Sequence, residues 1–402
     1  MRVALLSRAA HPLHDPGGLE QAVYHLACQL QAKGVETVLF TRPPTQAGRF
    51  PGEVVTVRYA ALRVGSHGRV LDRTLNYPGF ALRLGEAVAA RVRAGQVDLV
   101  HAQGLTALGY GRLRRQDATL RAPLVMNPQG LEEHKASGVK RLALTRLRRL
   151  SREAAGLADR VIATDTSSVN EVRRHLGVEP ARIALLPNGI DPDAIRDATP
   201  ADPKAVVRLA LPGLEAARPL LLSVGRLEAY KGFGDVLEAL RQLQAHGALP
   251  ASWAWAIVGV GPLASTLRRR ASAALRDHVR LVGRAPEALL HALYARADVF
   301  VHATRYEGSS LVTLEAMAHA LPVVATRAGG IPDKVRDGET GRLVEPGDVA
   351  ALAAAIAELA ASAELRRSCG ERGRQRALSE FAWPVLASRT LALYEELLRE
   401  RR

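Results

Sequence analysis

Short apolar runs that alternate with longer helical stretches are the feature that most constrains the fold of this chain. Strands joined by helices pair in parallel and are covered by helices on both faces. In the first half, the runs expected to form strands are Arg2–Ser7, Val35–Thr41, Val54–Tyr59, Asp98–Ala102, Leu124–Asn127, Arg160–Thr164 and Ile183–Leu186. We therefore predict an α/β fold with a doubly wound parallel sheet, in which ligands bind beyond the carboxyl ends of the strands.

The same alternation returns in the second half, where Leu220–Gly225 and Val299–Val301 are expected to be buried strands. A chain of 402 residues is too long for one compact core and long enough for two domains of ordinary size. The segment Asp191–Pro203 is rich in Pro, Asp and Ala, as linkers often are. We predict domains at 1–190 and 204–381, a linker at 191–203 and a final amphipathic helix at 382–402.

The net charge of +15, carried almost wholly by Arg, narrows the choice of partners. A basic protein attracts nucleic acids, anionic membranes or anionic substrates. Aromatic residues make up only 4% of the chain, so base-stacking surfaces are scarce, and no nucleic-acid-binding motif is present. We expect no nucleic acid partner. A coding bias toward Arg is the alternative explanation that needs no partner.

The cysteines and the apolar segments indicate a compartment. Cys28 and Cys369 are the only cysteines and lie on predicted helices in different halves, so we expect no disulfide. No segment reaches the roughly 20 apolar residues of a membrane span. The apolar run at the N-terminus is too short for a signal peptide and continues into the first strand. These features predict a cytoplasmic protein.

Two carboxylates flank a predicted helix N-terminus in the second half. Glu307 lies in the turn after the strand Val299–Val301, and Glu315 lies within the helix that begins near Leu311. The free N–H groups at the start of this helix favour an anion, whereas the carboxylates can only accept hydrogen bonds. The combination suits a ligand with both phosphates and hydroxyls, such as a nucleotide sugar.

The residues after this pair extend the pattern to a family. Seven residues separate Glu307 from Glu315, and the segments Leu321–Val324, Gly329–Pro332 and Gly341–Asp348 follow. This arrangement resembles the retaining glycosyltransferases of family 4, also called glycosyl transferases group 1. The resemblance covers nearly the whole chain. It implies the GT-B fold: two Rossmann-like domains that face a cleft, with the C-terminal helix crossing back to the first domain.

The resemblance also implies which residues bind the donor. Its catalytic residues would be Glu307, Arg226 and Lys231, since the arginine and lysine hold the donor's diphosphate. The donor sugar would contact Glu307, Gly308, Ser309 and Ser310, and the diphosphate would contact Gly17, Gly18, Arg226, Lys231, Leu311 and Val312. The nucleotide would contact Gly259, Gly283, Arg284 and Glu315. Considered alone, Gly17 and Gly18 would indicate an ordinary tight turn before a helix.

On the acceptor side, the resemblance points to His101, Gln103 and Gln129. The family often has a histidine where Gln103 stands, and commonly a catalytically important histidine where Gln129 stands. A glutamine can donate a hydrogen bond but cannot supply a proton at neutral pH. The sequence therefore argues against a histidine acid at this position.

The segment Val139–Gly156 is the most basic predicted helix, with arginines between regularly spaced leucines. This pattern is typical of a helix that lies on an anionic membrane. A helix that packs its leucines on a sheet and exposes its arginines shows the same pattern and is more common. Both interpretations stay open, and with them a peripheral location on the inner face of the cell membrane.

A dinucleotide-like fingerprint, Gly259-x-Gly261-x-x-Ala264, follows a strand and raises the alternative of a nicotinamide enzyme. The next strand would then end in an acidic residue that binds the ribose, but it ends in Gly283 and Arg284. The glycines fit the nucleotide of a sugar donor better.

Together these features predict a retaining, metal-independent transfer of a sugar from a nucleoside diphosphate sugar to an acceptor hydroxyl. The nucleotide sugar would be a co-substrate, with no further cofactor. The leaving phosphate oxygen would act as base on the face that the acceptor attacks. Lipid-linked, glycan and small-molecule acceptors all stay open. So do two other functions: a nucleotide-sugar epimerase of the same fold and a non-catalytic protein that binds nucleotide sugars or polysaccharides.

Overall fold

The computed structural model describes residues 1–15, 17–59, 72–128, 131, 134, 142 and 144–401. The chain divides into two compact units. The first unit contains Met1–Asn188 together with Trp383–Arg402, and the second contains Gly189–Ala382.

The first unit is built on a parallel sheet of seven strands. They are β1 (Arg2–Leu6), β2 (Glu36–Thr41), β3 (Glu53–Thr56), β4 (Leu99–Gln103), β5 (Leu124–Asn127), β6 (Arg160–Ala163) and β7 (Ile183–Leu185). Their order in the sheet is β3-β2-β1-β4-β5-β6-β7. The strand order reverses between β1 and β4, which makes this edge the topological switch point of the doubly wound sheet.

Helices cover both faces of this sheet. They are α1 (Gly18–Ala32), α2 (Tyr77–Arg93), α3 (Ala107–Gln116), α4 (Thr145–Leu157) and α5 (Thr166–Glu171). Side chains of a strand point alternately to the two faces, so β1 contributes to two cores. Ala4 and Leu6 pack in one core, and Val3 and Leu5 pack in the other. The continuous apolar runs of the sequence are thus explained by burial on both faces.

The second unit repeats this architecture with a parallel sheet of six strands. They are β8 (Leu220–Val224), β9 (Ala254–Val258), β10 (Val279–Gly283), β11 (Val299–His302), β12 (Val323–Thr326) and β13 (Gly341–Val344), in the order β10-β9-β8-β11-β12-β13. Its helices are α6 (Pro192–Ala198), α7 (Pro203–Ala210), α8 (Phe233–Ala245), α9 (Ala264–Ala274), α10 (Glu287–Arg296), α11 (Leu311–Ala318), α12 (Ile331–Lys334), α13 (Val349–Ala361) and α14 (Ala363–Glu380). The predicted α/β fold with two parallel-sheet, Rossmann-like domains is confirmed.

The last helix, α15 (Trp383–Arg399), belongs to the first unit. Its apolar side packs on α1, where the Trp383 ring stacks on His25 with the ring centres 5.9 Å apart. On the next turns, Leu386 and Tyr394 are buried in the same core. The predicted return of the C-terminal helix to the first domain is therefore confirmed.

The predicted linker contains a helix. Two backbone N–H groups at the start of α6, those of Asp193 and Ala194, donate to Asp191 Oδ1 at 3.1 Å each. On the same helix, Ile195 packs against a core of the second unit. An aspartate before a proline looks like linker composition, yet it is also the N-cap and first position of a helix. This ambiguity explains why the sequence interpretation missed α6.

The basic helix is described only in part, because 139–141 and 143 lie outside the described residues. Within α4, Leu147 and Ala154 are buried in the first unit's core. On its outer side, Glu153 accepts hydrogen bonds from Arg112 at 2.7 and 2.8 Å. The described part of the helix thus packs its apolar side on the protein. Across the described residues, no helix is both long and apolar enough to cross a membrane.

Candidate active site

The switch point of the second sheet lies where β8 has β9 on one side and β11 on the other. In open α/β sheets, ligands bind at the carboxyl ends of the strands beside this point. The loop after β8 carries Arg226 and Lys231, and the loop after β11 carries Glu307. Three predicted catalytic residues therefore lie on two loops at the same edge of one sheet.

These two loops pack directly on each other. The backbone N–H of Arg305 donates to the carbonyl of Tyr230 at 2.7 Å, and Thr304 Oγ1 donates to the same carbonyl at 3.1 Å. Gly232 has φ +71°, and a Cβ atom there would lie 1.8 Å from the carbonyl oxygen of Ala303. Only glycine fits this position, so Gly232 allows Lys231 to approach the end of β11.

Glu307 is the centre of a buried cluster of charges. Its Oε2 atom accepts from Lys231 Nζ at 2.7 Å and lies 2.8 Å from His302 Nε2. Its Oε1 atom accepts from the backbone N–H of Gly308 at 3.1 Å. Because a carboxylate can only accept, the His302 Nε2 atom carries a proton in this arrangement. The side chains of Lys231, Glu307 and His302 are 12, 13 and 3% exposed.

This environment keeps Glu307 ionised. Burial alone would raise the pKa of Glu307. The hydrogen bond and charge of His302, followed by the charge and hydrogen bond of Lys231, outweigh burial and lower the pKa to about 2. Glu307 is therefore a fixed acceptor at neutral pH and an unsuitable proton donor.

His302 was missed by the sequence interpretation. It is the last residue of β11, and its ring is stacked near Phe300 of the same strand, with centroids 6.0 Å apart. A histidine that ends an otherwise apolar buried strand was the available signal, and its distance of five residues from Glu307 concealed the contact.

Helix α11 begins beside this cluster with an unusual backbone. Ser310, the residue before the helix, has φ +39°, and its Oγ lies 2.7 Å from Thr313 Oγ1. Ser309 Oγ is buried and has no hydrogen-bond partner among the described residues. A Cβ atom on Gly329 would lie 1.8 Å from the carbonyl oxygen of Glu307, so this signature glycine lets the two loops meet. The structure thus brings the predicted residues Gly308, Ser309, Ser310, Leu311 and Val312 together at one helix N-terminus.

Glu315, within α11, has a different partner. Its Oε2 atom accepts from Tyr294 Oη at 2.9 Å, and the Tyr294 ring stacks on His319 with centroids 5.5 Å apart. Burial raises the pKa of Glu315, while the hydrogen bond from Tyr294 partly opposes this shift. Tyr294 lies on α10 and was also missed from sequence.

The remaining residues predicted to bind the donor lie at the same edge of the second sheet. Arg226 is exposed, and its Nη2 donates to Tyr230 Oη at 2.9 Å. Gly283 ends β10, and Arg284 is exposed directly after it. Gly259 follows β9, but a Cβ there would lie 1.8 Å from the carbonyl oxygen of Gly225. The close approach of the Gly225 backbone explains why this position is a glycine. The sequence interpretation had explained it by the space that a nucleotide needs.

The site residues predicted in the first unit lie partly at a helix start and partly in the buried core. Gly17 and Gly18 lie at the start of α1, as expected. His101 is only 2% exposed, and its Nδ1 lies 2.6 Å from Tyr394 Oη of α15. Burial lowers the pKa of His101 to about 4. A buried neutral ring bound to the last helix favours a structural role over the predicted acceptor contact.

Two glutamines, Gln103 and Gln129, were predicted on the acceptor side. Gln103 is buried, and its Nε2 lies 3.4 Å from His101 Nε2. This contact joins Gln103 to the same buried group, although it ends β4 at the carboxyl edge of the sheet. Gln129 lies outside the described residues.

Comparison with known proteins places this chain in a family. The profile described as "Glycosyltransferase Family 4" matches residues 16–194, and the profile described as "Glycosyl transferases group 1" matches residues 212–376. A D-inositol 3-phosphate glycosyltransferase of Streptomyces scabiei is 30% identical over 428 residues, covering 100% of this chain and 92% of the relative. The chain belongs to the group 1, family 4 glycosyltransferases.

Two further similarities concern part of the chain and the fold. A GDP-mannose-dependent alpha-(1-6)-phosphatidylinositol monomannoside mannosyltransferase of Mycolicibacterium smegmatis is 36% identical over 230 residues, covering 55% of this chain and 57% of the relative. The solved sucrose-phosphate synthase of Thermosynechococcus elongatus has a TM-score of 0.75 at 24% identity, with 99% of each chain covered. This glycosyltransferase has the GT-B fold.

Proposed function

We propose that this glycosyltransferase moves a sugar from a nucleoside diphosphate sugar to an acceptor hydroxyl with retention at the anomeric carbon. The observation that carries the proposal is the buried cluster of Lys231, Glu307 and His302 beside the N-terminus of α11. It combines a cation, a fixed acceptor and helix N–H groups at the carboxyl edge of one sheet. The GDP-mannose dependence of the M. smegmatis relative supports a nucleotide sugar as donor.

Each part of the cluster has a role in this proposal. Lys231, Arg226 and the amides at the start of α11 bind the diphosphate, because cations and helix N-termini stabilise phosphate charge. Glu307 accepts hydrogen bonds from the sugar hydroxyls, and the backbone N–H groups of Gly308, Ser309 and Ser310 donate to the sugar. Glu315 accepts hydrogen bonds from the ribose. The leaving diphosphate gains negative charge in the transition state, and the cations stabilise it there.

In the proposed mechanism, the acceptor attacks the sugar on the face from which the diphosphate leaves. The acceptor oxygen forms a bond to the anomeric carbon as the bond from that carbon to the phosphate oxygen breaks. The departing phosphate oxygen takes the acceptor's hydroxyl proton, so no protein base is required. Glu307 is unsuited to be a nucleophile, since Lys231 and His302 both donate to its Oε2. The scheme needs no metal, because Arg226 and Lys231 supply the positive charge.

The donor is tested first by thermal unfolding. The purified protein is melted with UDP-, GDP- and ADP-sugars and with NAD, each with EDTA and with Mg²⁺. A ligand at 100 times its Kd stabilises the folded protein by about 2.7 kcal/mol. We expect one nucleotide class to raise the melting temperature equally in both metal conditions. Stabilisation by NAD alone, or by a sugar nucleotide only with Mg²⁺, would contradict the proposal.

Retention is tested on the product. With the donor known, transfer to a panel of lipid-linked, glycan and small-molecule acceptors is followed by NMR. The anomeric coupling constant of the transferred sugar should match that of the donor. An inverted product, or release of an epimerised sugar without transfer, would rule out the same-face scheme.

A further inference from the structure

A pair of arginines at the carboxyl edge of the first sheet has no role in the donor site. Leu6 of β1 lies opposite Phe40 of β2 in the sheet register. Arg8 and Arg42 each follow two residues later, so both extend from neighbouring strands at the same edge. Thr41 Oγ1 donates to the carbonyl of Arg8 at 3.2 Å and links these two strand ends. Ligands bind at this edge in doubly wound sheets.

Arg8 has partners. Its Nη1 lies 3.9 Å from Asp72 Oδ2, and its guanidinium lies over the Tyr77 ring at 5.2 Å from the ring centre. Asp72 also accepts hydrogen bonds from the Tyr59 hydroxyl and from Asn76 Nδ2. The Asp72 carboxylate that pairs with Arg8 is therefore shared with two hydrogen-bond donors.

Arg42 is different. Its Nε atom is buried and forms no hydrogen bond, and no ion pair is found for it within the described part of the chain. Burial and then the charge of Arg8 lower the pKa of Arg42, while Tyr59, Asp15 and Asp72 oppose this shift. Arg42 as a whole is half-buried, but a buried donor atom without a hydrogen bond is costly and needs an explanation.

We propose that Arg42, with Arg8, binds a phosphate group carried by the acceptor. A phosphate would accept from the Arg42 guanidinium and would offset the repulsion between the two arginines. Arginine is well suited to this task because its planar fork can donate two hydrogen bonds to one phosphate. The inference rests on the proposed function only in assigning this ligand to the acceptor. The Arg42 site itself lies wholly within the first unit.

The first test measures phosphate binding without reference to activity. Inorganic phosphate is titrated by calorimetry into the full-length protein after saturation with the nucleoside diphosphate found in the melting panel, so that the donor site is filled. If no nucleotide binds, phosphate is titrated alone. We compare the wild type with Arg42→Gln and with Arg121→Gln as the control. Arg121 is exposed on the loop before β5, at the opposite edge of the sheet.

We expect Arg42→Gln to weaken phosphate binding at least tenfold and Arg121→Gln to change it less than twofold. Equal effects of the two substitutions, or no phosphate binding by the wild type at millimolar concentration, would overturn the inference. Should Arg42→Gln fail to unfold cooperatively, Arg42→Lys replaces it. This variant keeps the charge and loses the fork, so a three- to tenfold loss is expected, and unchanged affinity would count against the site.

The second test identifies where the phosphate comes from. One arm compares binding of glucose 6-phosphate with glucose, and the other compares sedimentation with vesicles of phosphatidylinositol and of phosphatidylcholine. Arg42→Gln should reduce the preference for the anionic member in one arm at least tenfold. Loss in the first arm indicates a soluble phosphorylated acceptor, and loss in the second indicates a lipid headgroup. No loss in either arm overturns the acceptor assignment, whereas failure of the donor panel affects only the proposed function.

Discussion

The two glutamates of the signature lie on one short stretch of chain and have opposite surroundings. Glu307 has two nitrogen donors on one oxygen, and its pKa is lowered to about 2. Glu315 has the neutral Tyr294 hydroxyl, and burial raises its pKa. The difference shows that one motif can place the same residue type in two opposite electrostatic environments. Glu307 is held in its charged form. Burial destabilises the charged form of Glu315, and hydrogen bonds from a ligand's hydroxyls would stabilise it.

The largest expected effect comes from removing Lys231, whose ammonium group binds Glu307. In the proposed mechanism, Lys231→Ala takes away a charge that stabilises the leaving diphosphate, and it leaves Glu307 with His302 and the Gly308 N–H as partners. We expect kcat to fall by about 10² to 10³, measured as product formed at saturating donor. Lys33→Ala, at an exposed lysine after α1, is the matched control and should keep wild-type kcat. If the kcat of Lys231→Ala stays within fivefold of the wild-type value, Lys231 is not part of the active site.

The pH dependence of stability should separate the two glutamates. A lowered pKa means that Glu307 stabilises the folded state above its unfolded pKa, near 4.5, and that this stabilisation is lost as the pH falls toward 2. A raised pKa means the reverse for Glu315, whose ionised form costs stability at neutral pH. Glu307→Gln should therefore lower the unfolding midpoint at pH 7 by several degrees and by fewer degrees at pH 3.

Under the same conditions, Glu315→Gln should leave the midpoint at pH 7 unchanged or raise it, with a smaller difference at pH 4. Both variants are followed by circular dichroism across this range. If the two substitutions shift the midpoint in the same direction at every pH, the contrast between the two sites is wrong.

His302→Leu tests whether the second donor to Glu307 matters for the sugar. Without His302, Glu307 keeps Lys231 on Oε2 and the Gly308 N–H on Oε1, and in the proposed mechanism the diphosphate competes for Lys231. Affinity for the nucleotide sugar should fall about tenfold, while affinity for the nucleoside diphosphate alone should stay within twofold, both by calorimetry. His302→Gln keeps a donor and should recover part of the loss. Equal losses for both ligands would indicate a general structural role instead.

The smallest effect is expected on the Glu315 side. Tyr294→Phe removes one hydroxyl and keeps the ring stacked on His319, so one hydrogen bond is lost at a cost of about 1 kcal/mol. The KM for the donor should rise about fivefold with kcat unchanged. A donor with a 2′-deoxyribose should show a smaller penalty in this variant than in wild type. A fall in kcat at constant KM would place Tyr294 nearer the reaction.

The fold was well predicted because its signals are local. Each strand is a short apolar run buried on both faces, and the predicted Leu124–Asn127 has the same bounds as β5. The error at Asp191–Pro203 has a local cause as well, since a helix cap and a linker share their residue types. Sequence patterns of this kind indicate elements reliably and their ends less so.

The site was predicted in part. Lys231, Glu307 and the start of α11 were found because their motif lies on two short stretches. His302 and Tyr294 act through packing: Tyr294 precedes Glu315 by 21 residues and meets it only once α10 and α11 pack together. Likewise, His101 contacts Tyr394 across 293 residues. Local sequence patterns do not indicate such contacts. The contact of His302 helps to lower the pKa of Glu307, and that of Tyr294 partly opposes the raised pKa of Glu315.

The return of α15 to the first unit has a consequence for how the protein is made. A ribosome that has translated Met1–Asn188 has produced every strand of the first sheet, but not the helix that covers α1. The face formed by Val23 and Leu26 stays uncovered while the whole second unit is synthesised. The first domain can complete its core only after α15 has been made, so a truncation within Trp383–Arg399 would harm the domain that was made first.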